Sequence, residues 1–287
     1  DAAGNNAVLT LPEPDSTGSL ANTKDIIVDG IPGSVLSVSS SSNNDTYKIG
    51  DELVLTVQFN EVVNVGGVPQ LTLETGNIDG VTSYSIGSGT NTLSFAYAVV
   101  LNHASADLEY NSTSALSLNN GTVQDLAGNN VSLTLPTIGE TGSLATNKAL
   151  VIDGVYATVD SVSATTANGY YKAGDTLDVT VHFDENVNVT GSPQLVLETG
   201  SNDATVYYSS GSGSSILSFQ YIAEEGHLNT DLEYVSALSL SLNNGLIRDV
   251  AGNDATLTLA DPGDASSLSA NKALVVDAIS PSVISVS

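Results

Sequence analysis

Apolar and polar residues alternate along several short stretches of this chain, and this pattern predicts β-strands. In residues 52–59, Leu53, Leu55 and Val57 fall on one face of an extended chain. Residues 176–183 repeat the alternation with apolar residues at the corresponding places. A period of two residues is that of a strand with one buried face, so both stretches are predicted to be half-buried strands.

Clusters of Gly, Asn, Ser and Asp separate the predicted strands, and helical patterns are almost absent. Ser210–Ser215 and Asn243–Gly245 are two such turn-forming stretches. About seven to nine short strands in a domain-sized length, with turns at this spacing, are typical of a two-sheet antiparallel sandwich. We therefore expect an all-β fold of immunoglobulin-like (Ig-like) antiparallel β-sandwich domains, with Tyr110 and Tyr234 as core or corner residues.

The chain also repeats itself without a gap, at an offset of 124 residues, as from Tyr47 to Tyr171. Asp125–Asn129, for example, recurs as Asp249–Asn253. A period near the usual domain size means that each repeat can bury its own core. Tandem domains in a linear array are therefore expected, an organisation usual for spacers, scaffolds and repeated binders.

This period divides the chain into four parts. We predict one complete Ig-like repeat at residues 31–153 and a second at residues 154–277. Residues 1–30 match the C-terminal strands of a preceding repeat, and residues 278–287 match the first strand of a following repeat. The first partners to expect are therefore neighbouring repeats of the same chain.

Charge and composition limit the classes of binding partner that the chain can have. The 32 acidic and 6 basic residues give a formal net charge of −26, which argues against binding to nucleic acid or to an anionic membrane. No stretch approaches the ~20 apolar residues of a membrane-spanning helix. Cations are the natural partners, although solubility alone also explains an acidic surface. The chain has no cysteine, so neither disulfides nor thiolate metal sites are available.

Three acidic features recur in both repeats. One is a Glu at the end of the second strand, the next is the sequence Asp-x-Ala-Gly-Asn, and the third is an Asp in each linker. We predict that these residues converge at the junctions between domains. The candidate metal ligands are Asp1, Asn5, Asp29, Glu61, Asp125, Asn129, Asp153, Glu185, Asp249, Asn253 and Asp277.

Strand direction predicts how the candidate ligands group. If the Asp-x-Ala-Gly-Asn sequence begins the antiparallel partner of the last strand, it lies at the outgoing end of its own domain. It then meets the linker Asp and the Glu of the next domain. The predicted groups are Asp1, Asn5, Asp29 and Glu61, then Asp125, Asn129, Asp153 and Glu185, and last Asp249, Asn253 and Asp277.

The donor atoms indicate which metal these groups would bind. Carboxylate, amide and backbone oxygens favour a hard cation, and a flexible loop with many oxygens suits Ca²⁺ better than octahedral Mg²⁺. The alternative is that these are solvated turn residues, because neither an EF-hand loop nor a Gly-Gly-x-Gly-x-Asp repeat is present. The sequence therefore predicts Ca²⁺ from convergence and not from a diagnostic motif.

Catalytic motifs are missing from the sequence. It holds no Gly-x-Ser-x-Gly, no His-Glu-x-x-His and no phosphate-binding Gly-rich loop. His103 and His227 are one site in two copies, and a single imidazole per domain makes neither a zinc site nor a triad. Paired acids such as Asp107 and Glu109 are expected to face solvent and not to form a glycosidase pair. We therefore expect a protein that is not an enzyme.

Lysines are few and recur at fixed places, among them Lys148 and Lys272. A buried lysine near an Asn and an acid can form an intramolecular isopeptide bond, as in some bacterial surface domains. The simpler expectation is an ion pair, or a lysine whose stem packs beside a strand.

The order of motifs resembles the Ig-like, cadherin-like repeats of very large secreted bacterial adhesins and biofilm surface proteins. The motifs are Tyr-Lys-x-Gly-Asp, a strand ending in Phe-x-Glu, Gln-Leu-x-Leu-Glu-Thr-Gly, Asp-x-Ala-Gly-Asn and Asn-Lys-Ala-Leu-Val-x-Asp. The resemblance covers essentially the whole chain. It implies export to the bacterial cell surface and junctions that Ca²⁺ makes rigid.

Sequence and resemblance together lead to one expected function and two alternatives. The expected function is a non-enzymatic extender that holds a distal binding domain away from the surface. The first alternative is a structural subunit of an extracellular filament or surface layer, whose open strand edges pair with other copies. The second is a carbohydrate-binding module, for which the few aromatic candidates are Tyr170, Tyr171, Tyr207 and Tyr208.

Overall fold

The structure is a computed structural model that describes residues 1–282, and nearly all of its regular structure is β. One four-residue helix, α1 (Leu20–Thr23), precedes the first strand. The predicted all-β class, with tandem sandwich-like domains that each contain a large antiparallel sheet, is confirmed.

The first repeat contains eleven strands and one short helix. They are β1 (Val35–Ser40), β2 (Asp45–Lys48), β3 (Glu52–Gly66), β4 (Gln70–Glu74), β5 (Gly80–Ile86), β6 (Thr90–Ala98), β7 (Ala104–Ser105), β8 (Glu109–Tyr110), β9 (Leu116–Ser117), β10 (Thr122–Asp125), α2 (Leu144–Asn147) and β11 (Leu150–Asp153).

The second repeat has the same elements in the same order. They are β12 (Val159–Ala164), β13 (Gly169–Tyr171), β14 (Thr176–Thr190), β15 (Gln194–Glu198), β16 (Ala204–Ser210), β17 (Ser214–Ile222), β18 (Leu228–Asn229), β19 (Glu233–Tyr234), β20 (Leu240–Ser241), β21 (Leu246–Arg248), α3 (Leu268–Asn271) and β22 (Leu274–Asp277).

Each repeat folds into a large sheet and a small sheet. In the first repeat the large sheet has the order β1-β3-β6-β5-β4-β8, and β9 and β10 pair with β4 and β3. The small sheet has the order β2-β11-β7, in which β11 runs parallel to β2 and antiparallel to β7. The second repeat has the same pairing, β12-β14-β17-β16-β15-β19 and β13-β22-β18.

Alternate residues of β3 point into the core, as the sequence pattern predicts. Leu53, Leu55 and Val57 are fully buried, and Leu55 lies opposite Phe95 of β6. The second repeat has a separate core of the same kind. Burial of these apolar side chains is the main contribution to the stability of each domain.

The strand β3 bends at the point that matters for the candidate site. Its first half pairs with β6 as far as Gln58, and the next pair in register is Val63 with Thr90. Its second half pairs with β10, with Asp125 opposite Val63. The bend places Glu61 at the same end of the domain as the end of β10.

Tyr110 closes a corner of the first domain, as expected. It is fully buried, and its hydroxyl donates to the Pro136 carbonyl over 2.5 Å. Its neighbour Glu109 does not face solvent, so that expectation is wrong. Glu109 is buried because its carboxylate accepts hydrogen bonds from the N–H groups of Leu144 and Ala145 at the start of α2.

The segment before β1 leaves its apolar side chains in solvent. Residues 1–30 form α1 and no strand, and Leu11 and Leu20 are exposed there. Their counterparts one period later, Leu135 and Leu144, are buried in the first domain. That this segment belongs to a preceding repeat stays a prediction. Half of the predicted strand at 278–287, residues 283–287, lies outside the described residues.

Candidate metal centre

The first candidate centre begins with the loop after β10. Asp125 is buried, and the backbone N–H and the side-chain Nδ2 of Asn129 donate to its two carboxylate oxygens over 2.9 and 2.8 Å. Gly128 has a φ of +93°, a conformation that suits glycine and lets the loop close this tightly. The sequence Asp-x-Ala-Gly-Asn is thus a self-bonded loop that presents a carboxylate.

Asn129 also ties this loop to the incoming linker. Its Nδ2 donates to the backbone carbonyl of Asp29 over 3.1 Å. Asp29 in turn accepts a hydrogen bond from the N–H of Ile31 through its side chain. The linker is therefore held against the loop at the point where it enters the domain.

Three carboxylates meet at this point. Asp29, Glu61 and Asp125 each place an oxygen within 4.8 Å of the other two. Burial, followed by the charges of Asp125 and Asp29, raises the pKa of Glu61 above its usual range. Burial also disfavours the charge of Asp125, but the hydrogen bonds from Asn129 and from the amides of 127 and 128 prevail and lower its pKa.

The second candidate centre has the same residues one period later. Burial, followed by the charges of Asp153, Asp249 and Asp184, raises the pKa of Glu185 to about 7. Burial also raises the pKa of Asp153, a hydrogen bond from Val155 opposes this, and the charge of Asp249 adds to it. Among the residues described, the carboxylates of the first centre alone meet the mutual 4.8 Å distance.

The predicted grouping of the ligands is wrong. The sequence pattern predicts Asp125 and Asn129 beside Asp153 and Glu185, whereas the structure places them with Asp29 and Glu61. The reason is that the stretch after this loop does not pair with β11: Asn130 bridges Gln124 of β10 and Ser132 bridges Ser34, while β11 pairs with β2 and β7. Because β10 pairs with β3 in the large sheet and β11 lies in the small sheet, the Asp-x-Ala-Gly-Asn loop sits at the incoming end of its own domain.

The two remaining groups are correspondingly incomplete. Asn5 donates to Asp1 just as Asn129 donates to Asp125, through its N–H and its Nδ2 over 3.1 and 3.0 Å. Asp277 accepts a hydrogen bond from the N–H of Ile279, as the other linker aspartates do from the residue two positions on. The structure places Asp29 and Glu61 with Asp125 instead of with Asp1 and Asn5. It places Asp249 and Asn253 with Asp153 instead of with Asp277.

The residue before each junction glutamate also holds the linker, a role that the sequence pattern does not predict. The side chain of Asn60 accepts a hydrogen bond from the N–H of Ser34 over 2.8 Å, and Asp184 accepts from Thr158 over 2.8 Å. These bonds hold the end of each linker against the bend of the long strand. The signal in the sequence was a short polar residue at the middle of Phe-x-Glu in both copies.

The lysines and histidines have structural contacts. Lys148 and Lys272 donate through Nζ to the carbonyls of Ser42 and Thr166 over 2.8 and 3.1 Å, which is the contact of lysines packed beside strands. His103 is buried, stacks on Tyr97 and shares a 2.8 Å hydrogen bond with its hydroxyl. Burial lowers the pKa of His103.

No family model and no curated protein matches this chain. Within residues 1–282 no helix is long and apolar enough to cross a membrane.

Proposed function

We propose that this chain is a non-enzymatic extender from a bacterial cell-surface adhesin, with Ca²⁺ at the junctions limiting the bend between domains. The observation that carries the proposal is the convergence of Asp29, Glu61 and Asp125 within 4.8 Å. One comes from the linker, one from the bend of β3 and one from the loop after β10. A single ligand at this point would join the linker to both parts of the domain.

The electrostatics of the junctions support a cation as that ligand. Burial, followed by the like charges of neighbouring carboxylates, raises the pKa values of Glu61 and Glu185, so ionising either side chain costs free energy in the folded protein. The formal net charge of −26 adds a field of the same sign. A bound divalent cation supplies the positive charge that cancels this repulsion.

The residues present fit Ca²⁺ in chemistry. The donors are carboxylate oxygens, which hard cations prefer. At the first junction Asp29, Glu61 and Asp125 would hold the ion, and Asn129 would orient Asp125 through Nδ2. At the second junction the corresponding carboxylates are those of Asp153, Glu185 and Asp249, and Asn253 would orient Asp249 through Nδ2.

The tandem fold supports an extender. The sheets of each repeat are formed by strands of that repeat alone, so each domain carries its own core and the linker is the natural hinge. Restricting the hinge lengthens the array without any change within a domain. Export to the cell surface and the adhesin context come from the resemblance of the motifs.

Calcium titration of this chain by calorimetry tests the proposal. We expect binding at both junctions, with Asp125→Asn removing the first and Asp249→Asn removing the second, because each change takes one carboxylate charge from a centre. Asn keeps a side-chain acceptor for the loop hydrogen bonds, so the loop is expected to stay folded. Asp107→Asn, an exposed position, is the control. If the parent protein gives no heat of Ca²⁺ binding, or if Asp107→Asn loses binding as Asp125→Asn and Asp249→Asn do, the proposal is contradicted.

One observation favours the filament subunit as a second candidate. The segment 8–31 exposes large apolar side chains that are expected to seek a partner. They are Val8, Leu9, Leu11, Leu20, Ile26, Ile27, Val28 and Ile31. The extender proposal assigns this segment to a preceding repeat of the array, whereas a filament subunit would bury it against another copy.

A further inference from the structure

The two domains touch through one polar contact outside the linker. The backbone N–H of Ile49 in the first domain donates to Oδ1 of Asn253 in the second over 3.0 Å, across 204 residues of chain. Ile49 lies in the sequence Tyr-Lys-Ile-Gly-Asp, which forms the turn between β2 and β3. Asn253 ends the Asp-x-Ala-Gly-Asn loop after β21.

Asn253 has a counterpart that serves as an internal comparison. Asn129 makes the same bonds within its loop and the same bond to its linker carbonyl. Yet Asn253 is buried and Asn129 is half-buried. Asn253 is less exposed because Ile49 of the first domain covers its Oδ1.

Neighbouring atoms show the same close approach. A Cβ atom added to Gly252 would lie 3.6 Å from Cδ of Lys48. A Cβ atom added to Gly128 would have no atom of the described residues within 4 Å. The Tyr-Lys-Ile-Gly-Asp turn of the first domain therefore packs directly on the loop of the second. This contact is additional to the covalent linker.

The linker between the domains is held from both sides. On the first domain, Gly154 donates to the carbonyl of His103 over 2.7 Å and accepts from the N–H of Asn102 over 2.8 Å. On the second, Nδ2 of Asn253 donates to the carbonyls of Asp153 and Val155 over 3.0 and 3.3 Å. Asn253 is thus bonded to the linker, to its own loop and to the neighbouring domain.

We propose that Asn253 is a latch that sets the orientation of consecutive domains, and that the Tyr-Lys-x-Gly-Asp turn of one repeat recognises the Asp-x-Ala-Gly-Asn loop of the next. The proposal deepens the extender function and rests on it. By the period of the chain, Asn129 offers the same acceptor to a preceding repeat, and the N–H of Ala173 is the donor offered to a following repeat.

The latch residue contacts the candidate metal centre. Asn253 donates to Asp249 over 2.8 Å, and Asp249 is one of the carboxylates that raise the pKa of Glu185. An ion held at the junction would therefore fix the residue that orients the neighbouring domain. The hydrogen bond from Ile49 itself requires no metal.

Pulsed electron paramagnetic resonance tests the latch in the full chain. The protein has no cysteine, so Val81→Cys and Thr205→Cys, at equivalent exposed sites of β5 and β16, take one spin label in each domain. We expect a narrow distance distribution in the parent protein. Asn253→Ala is expected to broaden this distribution. Asn129→Ala removes the same hydrogen bonds within the loop of the first domain, and its distribution is expected to stay narrow.

A second pair of variants removes the donor instead of the acceptor. Proline has no N–H, so Ile49→Pro breaks the contact without changing Asn253. Ala173→Pro makes the same change in the second domain and controls for damage to the turn. We expect Ile49→Pro to broaden the distribution of distances between the two labels and Ala173→Pro to leave it narrow. A narrow distribution in both Asn253→Ala and Ile49→Pro, or equal broadening in the two controls, overturns the latch.

Repeating the measurement with Ca²⁺ and with a chelator separates the latch from the function on which it rests. If Asn253→Ala broadens the distribution in both conditions and Ca²⁺ has no effect on the parent, the latch stands and the calcium proposal fails. If Ca²⁺ narrows the distribution and Asn253→Ala does not change it, the extender stands and the latch fails.

Discussion

The pKa of Glu185 depends on the residues that surround it at the junction. This side chain lies at the bend of the strand β14, where burial and the charges of Asp153, Asp249 and Asp184 raise its pKa to about 7. Its unfolded reference is 4.5. The folded protein therefore binds a proton at this side chain more tightly than the unfolded chain does, and the two states respond differently to pH.

This difference predicts that the metal-free protein loses stability as pH rises from about 4.5 to about 7. In that window the folded state keeps the proton that the unfolded state has released, so each added unit of pH favours unfolding. Glu185→Gln, which stays neutral, should flatten the dependence and raise the melting temperature near pH 7. Scanning calorimetry in chelator measures both.

Calcium should reverse the effect of the same substitution. In the proposed function Glu185 is a ligand of the bound ion, so its loss is expected to lower the melting temperature when Ca²⁺ is present. Glu52→Gln, at the exposed start of β3, is the control in both series. If Glu185→Gln lowers stability without metal, the repulsion attributed to this junction is absent.

At the scale of elements, the decisive fact is that β10 and β11 belong to different sheets. β10 pairs antiparallel with β3, and β11 pairs in parallel with β2. The chain between them crosses from one sheet to the other through α2. This crossing brings the loop after β10 to the linker that precedes its own domain.

The sequence predicts the strands well and their partners poorly, for a physical reason. Alternation in residues 52–59 reports which side chains are buried, a local property, and the structure confirms it. Pairing of β10 depends on the bend of β3 and on a crossing that no local pattern encodes. Glu61 therefore lies at the incoming junction beside Asp29, as the sequence predicts, whereas Asp125 lies at that same junction and not at the predicted outgoing end of its domain.

A buried glutamate holds this crossing in each domain. In the second domain Glu233 accepts hydrogen bonds from the N–H groups of Leu268 and Ser269, at the start of α3, over 3.3 and 3.1 Å. The hydroxyl of Ser269 donates to the same carboxylate over 2.7 Å. The N–H groups at the start of a helix have no partner within the helix, so this carboxylate supplies one.

Removing that carboxylate should destabilise the domain. Glu233→Ala leaves buried N–H groups without acceptors, and we expect a loss of ~1–3 kcal/mol in the free energy of unfolding. Urea unfolding followed by circular dichroism measures the loss. Asp203→Ala, on an exposed loop of the same domain, should change stability little, and an equal effect of the two substitutions would mean that Glu233 does not hold the crossing.

At the scale of the whole molecule, two domains with separate cores are joined by a linker that is crowded with carboxylates. The formal net charge of −26 favours any arrangement that separates negative groups or neutralises them. The contact between Ile49 and Asn253 holds the domains together at the junction, where Asp153, Glu185 and Asp249 also lie. The balance between this contact and the repulsion is what a cation would shift.

Small-angle X-ray scattering with Ca²⁺ and with chelator, at equal ionic strength, tests the central claim most directly. Equal ionic strength keeps general screening constant, so that a change reports binding. We predict a longer maximum dimension with Ca²⁺, and no response in the double variant Asp125→Asn and Asp249→Asn. Identical scattering of the parent protein in the two conditions would contradict the claim that Ca²⁺ stiffens the array.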